Sequence, residues 1–389
     1  MSTTPMKQVA WLFEYPTLLG GERSLLAALG VLRSLGWQPL AVGPAEGPLA
    51  DELDRQGVEN VVFSVFDRYG ARLPRPTLHD RLRQILEQRR PDLLHANSLS
   101  MGRLSGLVAA EAGLPSIAHL RDIVGMSAAA VADLNRHTRL LAVSRATRDF
   151  HTRQGLRDDL CHVCYNGVDL ETFRLRAPTG WLHRKLRLPP ETSIVLSIGQ
   201  LVLRKGHDVL VRAAARLRES LPHLHWVIAG ARFSQKAEAV QYEADLHAAV
   251  AAAGMSERFH FLGTVANVPE LLSEATLLVH PARQEPLGRV LLEAAAAGVP
   301  CVATDVGGMC EIFGDAPAAA LLTPPDDERA LAEAVAALMA APAVRVRLGQ
   351  AARRRAEELF DAHANAAALA EHYRAVCERA RRLDTNPNR

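Results

Sequence analysis

The stretch that most limits the fold is His280 to Thr304, HPARQEPLGRVLLEAAAAGVPCVAT. The apolar run Leu277 to His280 reads as a buried strand, Pro286, Leu287 and Gly288 as a tight loop, and Arg289 to Ala297 as a helix. Gly298 stands where a helix needs a left-handed closing residue, and Val299-Pro300 leads into another buried strand. Strand, loop, helix and strand in that order require a parallel sheet, whose loops open at the C-terminal strand edge where ligands of α/β proteins collect. Two carboxylates eight positions apart flank this loop: Glu285 within it, and Glu293 facing inward about a turn and a half into the helix. Backbone amides at the helix start, bared by Gly288, suit an anionic group such as a diphosphate. A carboxylate beside them can accept two hydroxyls of a sugar or ribose.

The same alternation runs through the chain. Val9 to Phe13 reads as the first strand, the loop Thr17 to Gly21 follows, and a helix spans Glu22 to about Leu35. Adjacent Gly20 and Gly21 let backbone approach a ligand closely, although no G-x-G-x-x-G fingerprint is present. Strands at 39–42, 60–65, 92–95, 115–119, 140–143 and 161–165 alternate with helices at 48–56, 77–88, 101–112 and 145–154. His95, followed by Asn97, and His119, followed by Arg121 and Asp122, fall at strand ends on the edge where sites form. After Asn166-Gly167, a turn by its chemistry, Arg174 to Pro190 holds three prolines and no sustained period, which marks a linker. A second series has strands at 194–198, 225–229 and 259–262, a helix at 235–253, and helices at 330–339, 345–359 and 362–380; the tail 383–389 reads as frayed.

With 389 residues the chain exceeds one ordinary core, so two domains are expected: 1–175, a linker 176–190, 191–370, and a closing helix and tail 371–389. Lysine plus arginine total 45 against 43 acidic residues, and no basic block is interleaved with aromatics, which argues against a nucleic-acid partner. Arg68, Arg72, Arg75, Arg81, Arg83 and Arg89 cluster; they form either a solvated helix face or a patch for anionic lipid, a peripheral membrane contact. No secretory signal and no apolar run of membrane-spanning length are visible, and five scattered cysteines suit reduced thiols, so a cytoplasmic location is expected. Cys161-x-x-Cys164 lacks the further ligands a zinc set needs, and the pair reads as structural.

Several of these stretches, in order, resemble the retaining nucleotide-sugar glycosyltransferases of the family-four type, whose fold is GT-B. The resemblance rests on Gly20-Gly21-Glu22, Asn166-Gly167-Val168-Asp169 with Phe173, Gly199 to Gly206, Glu285-x7-Glu293 and Gly307-Gly308-x-x-Glu311, and it covers Val9 to about Tyr373. It implies two Rossmann-like α/β domains facing each other across a cleft, with the last helix crossing back. It further implies a donor on the C-terminal side. Lys205, with Arg204 and the glycines Gly20, Gly21 and Gly288, would hold the diphosphate. Glu285 would bind the transferred sugar and Glu293 the ribose, with Leu287 and Arg289 in the same donor loop, and Gly263-Thr264-Val265 would lie near the base. His119, Lys205 and Glu285 are then the catalytic candidates, and His95, Asn97 and Arg121 lie on the acceptor side. The sequence departs from the family pattern at Gln200, where an arginine is usual, so one phosphate cation is missing unless Arg204 supplies it.

The activity implied is transfer to a hydroxyl of a glycan, lipid-linked or small-molecule acceptor, without cofactor or essential metal; no Asp-x-Asp occurs. Acceptor loops are expected at 68–76 and 121–135. A nucleotide-sugar epimerase of the same fold and a catalytically silent binding protein remain as rivals; a dinucleotide oxidoreductase is disfavoured by the absent glycine fingerprint.

Overall fold

The computed structural model describes residues 6–314 and 319–384, so 385–389 of the expected frayed tail lie outside the described residues. The chain forms two compact units, one of residues 1–167 with 362–389 and one of 168–361. These boundaries differ from the 175, 176–190 and 370 read from the sequence. The segment taken for a linker is tied into the second unit: it carries a helix, Trp181–Leu186, with Leu182 buried, and Glu274 accepts from the Thr179 and Gly180 amides at 2.8 Å each. Its prolines hid a turn and a half of helix.

The first unit is built on seven parallel strands among the described residues: β1 (Lys7–Leu12), β2 (Trp37–Gly43), β3 (Asn60–Val62), β4 (Leu93–Ala96), β5 (Ser116–Leu120), β6 (Arg139–Ala142) and β7 (Cys161–Val163). Their order is β3-β2-β1-β4-β5-β6-β7, so the direction of winding reverses between β1 and β4. Alternate side chains of β1 serve opposite faces, as the strand period requires. Val9 and Trp11 join one apolar cluster, which includes Tyr373 from the last helix, and Ala10 and Leu12 join the other. That last helix, Ala362–Asp384, starts against Gly167, where an added Cβ would lie 2.5 Å from Ala362 Cα; only glycine fits there.

The second unit repeats the plan with β8 (Ser193–Ile198), β9 (Leu224–Ala229), β10 (Phe259–Phe261), β11 (Leu277–His280), β12 (Cys301–Thr304) and β13 (Leu321–Thr323), in the order β10-β9-β8-β11-β12-β13. Winding here reverses between β8 and β11. The helix of the opening motif spans Arg289–Ala296, and Gly298 closes it at φ +69°, with the Val299 amide donating to Ala294 at 2.9 Å.

Several elements differ from expectation. The helix read from 22 to 35 is two, Gly20–Leu26 and Leu29–Ser34, separated where the Ala28 amide turns back to Leu25. The loop expected at 121–135 contains a helix, Ala128–Leu134, capped by Ser127 Oγ, and the turn expected at 307–311 runs into a helix, Met309–Phe313. Strand β13 and the helix Val268–Ser273 carried no legible period.

Candidate functional site

In an open α/β sheet the crevice for a ligand lies beyond the strand ends where winding reverses. In the second unit that point falls between β8 and β11, and their following loops carry Lys205 and Glu285. The Lys205 ammonium pairs with Glu285 Oε2, and His280 Nε2 donates to the same oxygen at 3.1 Å. Burial alone would neutralise Glu285, yet the Lys205 charge and the His280 bond hold its carboxyl well below the usual carboxylate range. His280 stays neutral, its pKa lowered by burial and by Lys205.

The turn Leu203–Lys205 is fixed from outside the crevice. The Arg283 guanidinium donates to Leu203 O at 2.7 Å and forks onto Asp208 at 2.8 and 2.7 Å, while its amide donates to Arg204 O at 2.8 Å. Asp208, opposed by burial but held by Arg283, is lowered to about 2. Gly206 (φ +68°) completes the turn, because a Cβ there would lie 1.8 Å from Pro281 O. Lys205 is therefore presented by a clamped backbone rather than by a mobile loop. Arg204 is exposed, and its charge is among those that depress His280. Gln200 accepts from His207 Nε2 through its backbone oxygen at 3.1 Å.

Beside this cluster is an apolar pocket of about 170 Å³, lined by Gly199, Gln200, Phe233, Thr264, Val265 and neighbours from the β8 and β9 ends. It adjoins Lys205: a Cβ on Gly199 would lie 3.6 Å from Lys205 Cδ. Glu293 is buried in the first turns of its helix and accepts from Arg289 Nε at 3.0 Å. Gly288 caps that helix in the left-handed region, and Leu287 is buried.

In the first unit the strand ends of β4 and β5 bring His95, Asn97, His119 and Arg121 together. His95 Nδ1 meets Tyr373 Oη at 2.7 Å and its Nε2 meets His119 Nδ1 at 3.2 Å, the rings stacked at 5.4 Å. Arg121 donates to His119 Nδ1 at 3.1 Å, to Asn97 Oδ1 at 3.1 and 2.9 Å, and to Asn166 Oδ1 at 2.7 Å. Burial first, and then the Arg121 charge, push the pKa of both histidines well below the ordinary value. Gly21 lies over this cluster, its hypothetical Cβ 3.1 Å from Arg121 Cδ. Gly20 opens the short helix, and its carbonyl accepts from Ser24 at 2.7 Å.

Of the residues singled out in the sequence, the structure brings Lys205 and Glu285 together beside the β8/β11 reversal, and His95, Asn97, His119 and Arg121 together at the ends of β4 and β5. Sequence reasoning missed Arg283 and Asp208, which fix the Leu203–Lys205 turn, His280, which bonds Glu285, and Tyr373, which bonds His95. His280 alone left a signal, as the polar end of a buried strand. The arginine cluster is largely self-neutralised: Arg72 pairs with Glu14, Arg75 with Asp133, Arg83 with Asp80 and Glu111, and Arg89 with Glu59. Burial raises the thiols of Cys161 and Cys164 to about 12 and about 11, so neither is a ready nucleophile or ligand. Among the described residues no group of three or more His, Cys, Asp or Glu side chains could hold a metal ion, and no helix is long and apolar enough to cross a membrane.

Comparison with known proteins agrees with this architecture. Residues 19–172 match the family described as Glycosyltransferase Family 4, and residues 181–355 match Glycosyl transferases group 1. The chain is 34% identical over 251 residues to alpha-maltose-1-phosphate synthase of Mycobacterium tuberculosis, covering 61% of this chain and 63% of that protein. It is 32% identical over 178 residues to the lipopolysaccharide core biosynthesis mannosyltransferase LpsB of Rhizobium meliloti, covering 46% of this chain and 50% of that one. The matches thus span between half and 63% of these relatives' own length. The crystal structure of Anabaena Alr3699/HepE in complex with UDP-glucose superposes with a TM-score of 0.83 at 23% identity, covering 95% of this chain and 99% of that one, which shows a shared fold. Matched in both its halves, the chain belongs to the group 1, family 4 glycosyltransferases. Its fold is the two-domain α/β architecture known as GT-B.

Proposed function

We propose that the protein moves a sugar from a nucleotide-diphosphate sugar to an acceptor hydroxyl, with retention at the anomeric carbon, in the synthesis of a glycan, glycolipid or cell-envelope polysaccharide. The observation that carries this reading is the desolvated Lys205–Glu285 pair at the β8/β11 reversal, adjoining an apolar pocket of about 170 Å³. That pocket, with Phe233 and Thr264 on its wall, takes the base. Glu293 accepts the ribose hydroxyls. Lys205, with Arg204 in place of the arginine absent at position 200, faces the diphosphate, and Glu285 accepts hydroxyls of the transferred sugar. Pairing before the donor arrives keeps Lys205 and Glu285 charged and in place, so little reorganisation remains when charge develops on the leaving phosphate. The bond from C1 to the phosphate oxygen breaks, the acceptor oxygen bonds C1 on the same face, and the acceptor proton passes to the leaving phosphate. The cations of the chain supply the charge, and no essential metal is required. The relatives' names and the UDP and UDP-glucose complexes of Alr3699/HepE support a sugar-transfer reading.

The test is incubation with UDP-, GDP- and ADP-sugars, with and without candidate acceptors and EDTA. Nucleoside diphosphate release that depends on acceptor and ignores EDTA, with a retained anomer by NMR, is expected. Sugar interconversion without acceptor would establish an epimerase instead, and an inverted product would remove the retaining mechanism.

A further inference from the structure

Glu274 closes the helix Val268–Ser273 with its side chain 0% exposed, and the His183 ring beside it is 13% exposed. Three donors converge on Glu274 Oε1: the Thr179 amide at 2.8 Å, the Gly180 amide at 2.8 Å and the Thr179 hydroxyl at 2.9 Å. The other oxygen, Oε2, is buried and accepts no hydrogen bond; His183 Nδ1 stands 3.5 Å from it. His183 Nε2 meets the Thr192 carbonyl oxygen at 2.9 Å. A carbonyl can only accept, so the one proton of a neutral His183 ring belongs on Nε2. Nδ1 is then a lone pair aimed at a carboxylate oxygen, two acceptors face to face in a dry site.

Such a contact desolvates both groups and forms no bond, a costly arrangement. One further proton removes the conflict: on Nδ1 it donates to Oε2, while Nε2 keeps Thr192. Among the described residues no other donor reaches Oε2. Arg184, on the same helix as His183, is turned to Thr179 O at 3.0 Å. Glu270, 3.2 Å from the Thr179 hydroxyl, accepts from Asn267 Nδ2 at 2.8 Å. On β9, His225 does not compete for the proton, since it is lowered to about 4 by burial first and then by His260, Arg258 and His183. Among these groups two carboxylates face one guanidinium, so a cationic His183 also balances the charge.

We propose that His183 and Glu274 form a proton-held latch: a second ring proton, on His183 Nδ1, bonds Glu274 Oε2 and fastens residues 179–192 to the rest of the second unit. The latch stands independently of the sugar-transfer reading. The fastened segment carries the helix Trp181–Leu186 and leads directly into β8, beyond whose end lies the turn that presents Lys205. Loss of the proton sets the two lone pairs against each other and loosens the segment, so the switch is worked by alkali rather than by acid. Its sign is the reverse of that of the histidines buried neutral elsewhere. The pair holds the extra proton only when folded. Its contribution is therefore fully present below the unfolded histidine value of about 6.5 and is lost as rising pH removes that proton from the native state.

The experiment compares wild type with Glu274→Gln, whose carbonyl oxygen keeps the Oε1 donors and whose amide donates to a neutral His183 Nδ1 with no extra proton. The two native states then differ by one bound proton. In urea melts between pH 6 and 8 the unfolding constant of wild type relative to the variant should rise by as much as about tenfold per pH unit, the other histidines cancelling. Parallel pH profiles overturn the latch. Ring-nitrogen NMR on the full chain labelled with 15N-histidine, His183 being assigned by loss of its signals in His183→Gln, should show both nitrogens protonated at pH 7 in wild type and Nε2 alone in Glu274→Gln. A bare Nδ1 in wild type at that pH, as a bridging water would leave it, refutes the second proton whether or not the variant folds. Hydrogen exchange reads the segment itself: protection of the Thr179 and Gly180 amides, corrected for the intrinsic rate, should fall from pH 6.5 to 8.5 in wild type and hold steady in Glu274→Gln. Equal loss in both would assign the loosening to another group and sink the latch.

Discussion

The two units share a strand plan, yet the strand ends in and beside their winding reversals carry opposite chemistry. At the β8/β11 edge a carboxylate and an ammonium are buried as a charged pair, with His280 neutral beside them. At the β4/β5 edge two histidines are buried uncharged, kept so by burial first and then by the Arg121 charge. A charge can remain at a dry sheet edge only with its counter-charge in contact. A neutral histidine costs less there, because it brings no net charge to desolvate.

Acid should act first on the buried histidines of both units and only later on Glu285, with the largest effect of the set. Histidines buried in both units have folded pKa values below their unfolded value of about 6.5; His137 and His207 are each lowered to about 4 by burial. A group whose folded pKa is depressed stabilises the native state above its unfolded pKa and loses that contribution as pH falls, so each such histidine contributes roughly 3 kcal/mol that vanishes between about pH 6.5 and 4. Glu285 is depressed too, but from about 4.3, so its contribution is lost only below that pH. Denaturant melts against pH should therefore show stability falling from pH 6.5 downward. A flat profile from 7 to 5 would mean the histidines are not held neutral.

Lys205→Ala comes next. It strands Glu285 without its cation, which costs about 3–5 kcal/mol where a buried pair is broken from one side. Turnover should fall by roughly 100-fold or more. Pairing Lys205→Met with Glu285→Gln should recover the melting temperature and leave turnover lost. Recovery of both would show the pair to be structural.

Smaller still is Glu293→Gln, which keeps shape and loses charge. Donor nucleotide affinity should weaken about tenfold by titration calorimetry, roughly 1.4 kcal/mol, with folding intact. Arg83→Ala should change neither melting temperature nor activity measurably, because its partners Asp80 and Glu111 are solvated.

Much of this was legible in the chain. The alternation of short apolar runs with amphipathic stretches announces parallel sheets, and the loop holding Glu285 announces the strand-loop-helix-strand unit that is found. The glycines at 167, 206 and 298 mark the close approach and the left-handed turns that the structure contains. The illegible part is of two kinds. Trp181–Leu186, Ala128–Leu134 and β13 are too short or too alanine- and proline-rich for a period to emerge, and their partners in the folded unit decide them. Arg283 and Tyr373 sit in unremarkable contexts, and only the fold brings them against Leu203 and His95. The bonds of Arg121 to Asn97, Asn166 and His119 are equally a product of the fold, since they join residues up to 45 positions apart.

The central claim is that the charged edge of the second unit is a nucleotide-diphosphate site. Its most direct test is a thermal-shift titration of wild type and Lys205→Met/Glu285→Gln with UDP, GDP and ADP and the matching nucleotide sugars, with and without EDTA. Wild type should be stabilised by one base series, by about 2.7 kcal/mol at a hundred times Kd, regardless of EDTA, and the double variant should not respond. No shift with any nucleotide, or an equal shift in the double variant, would contradict the account.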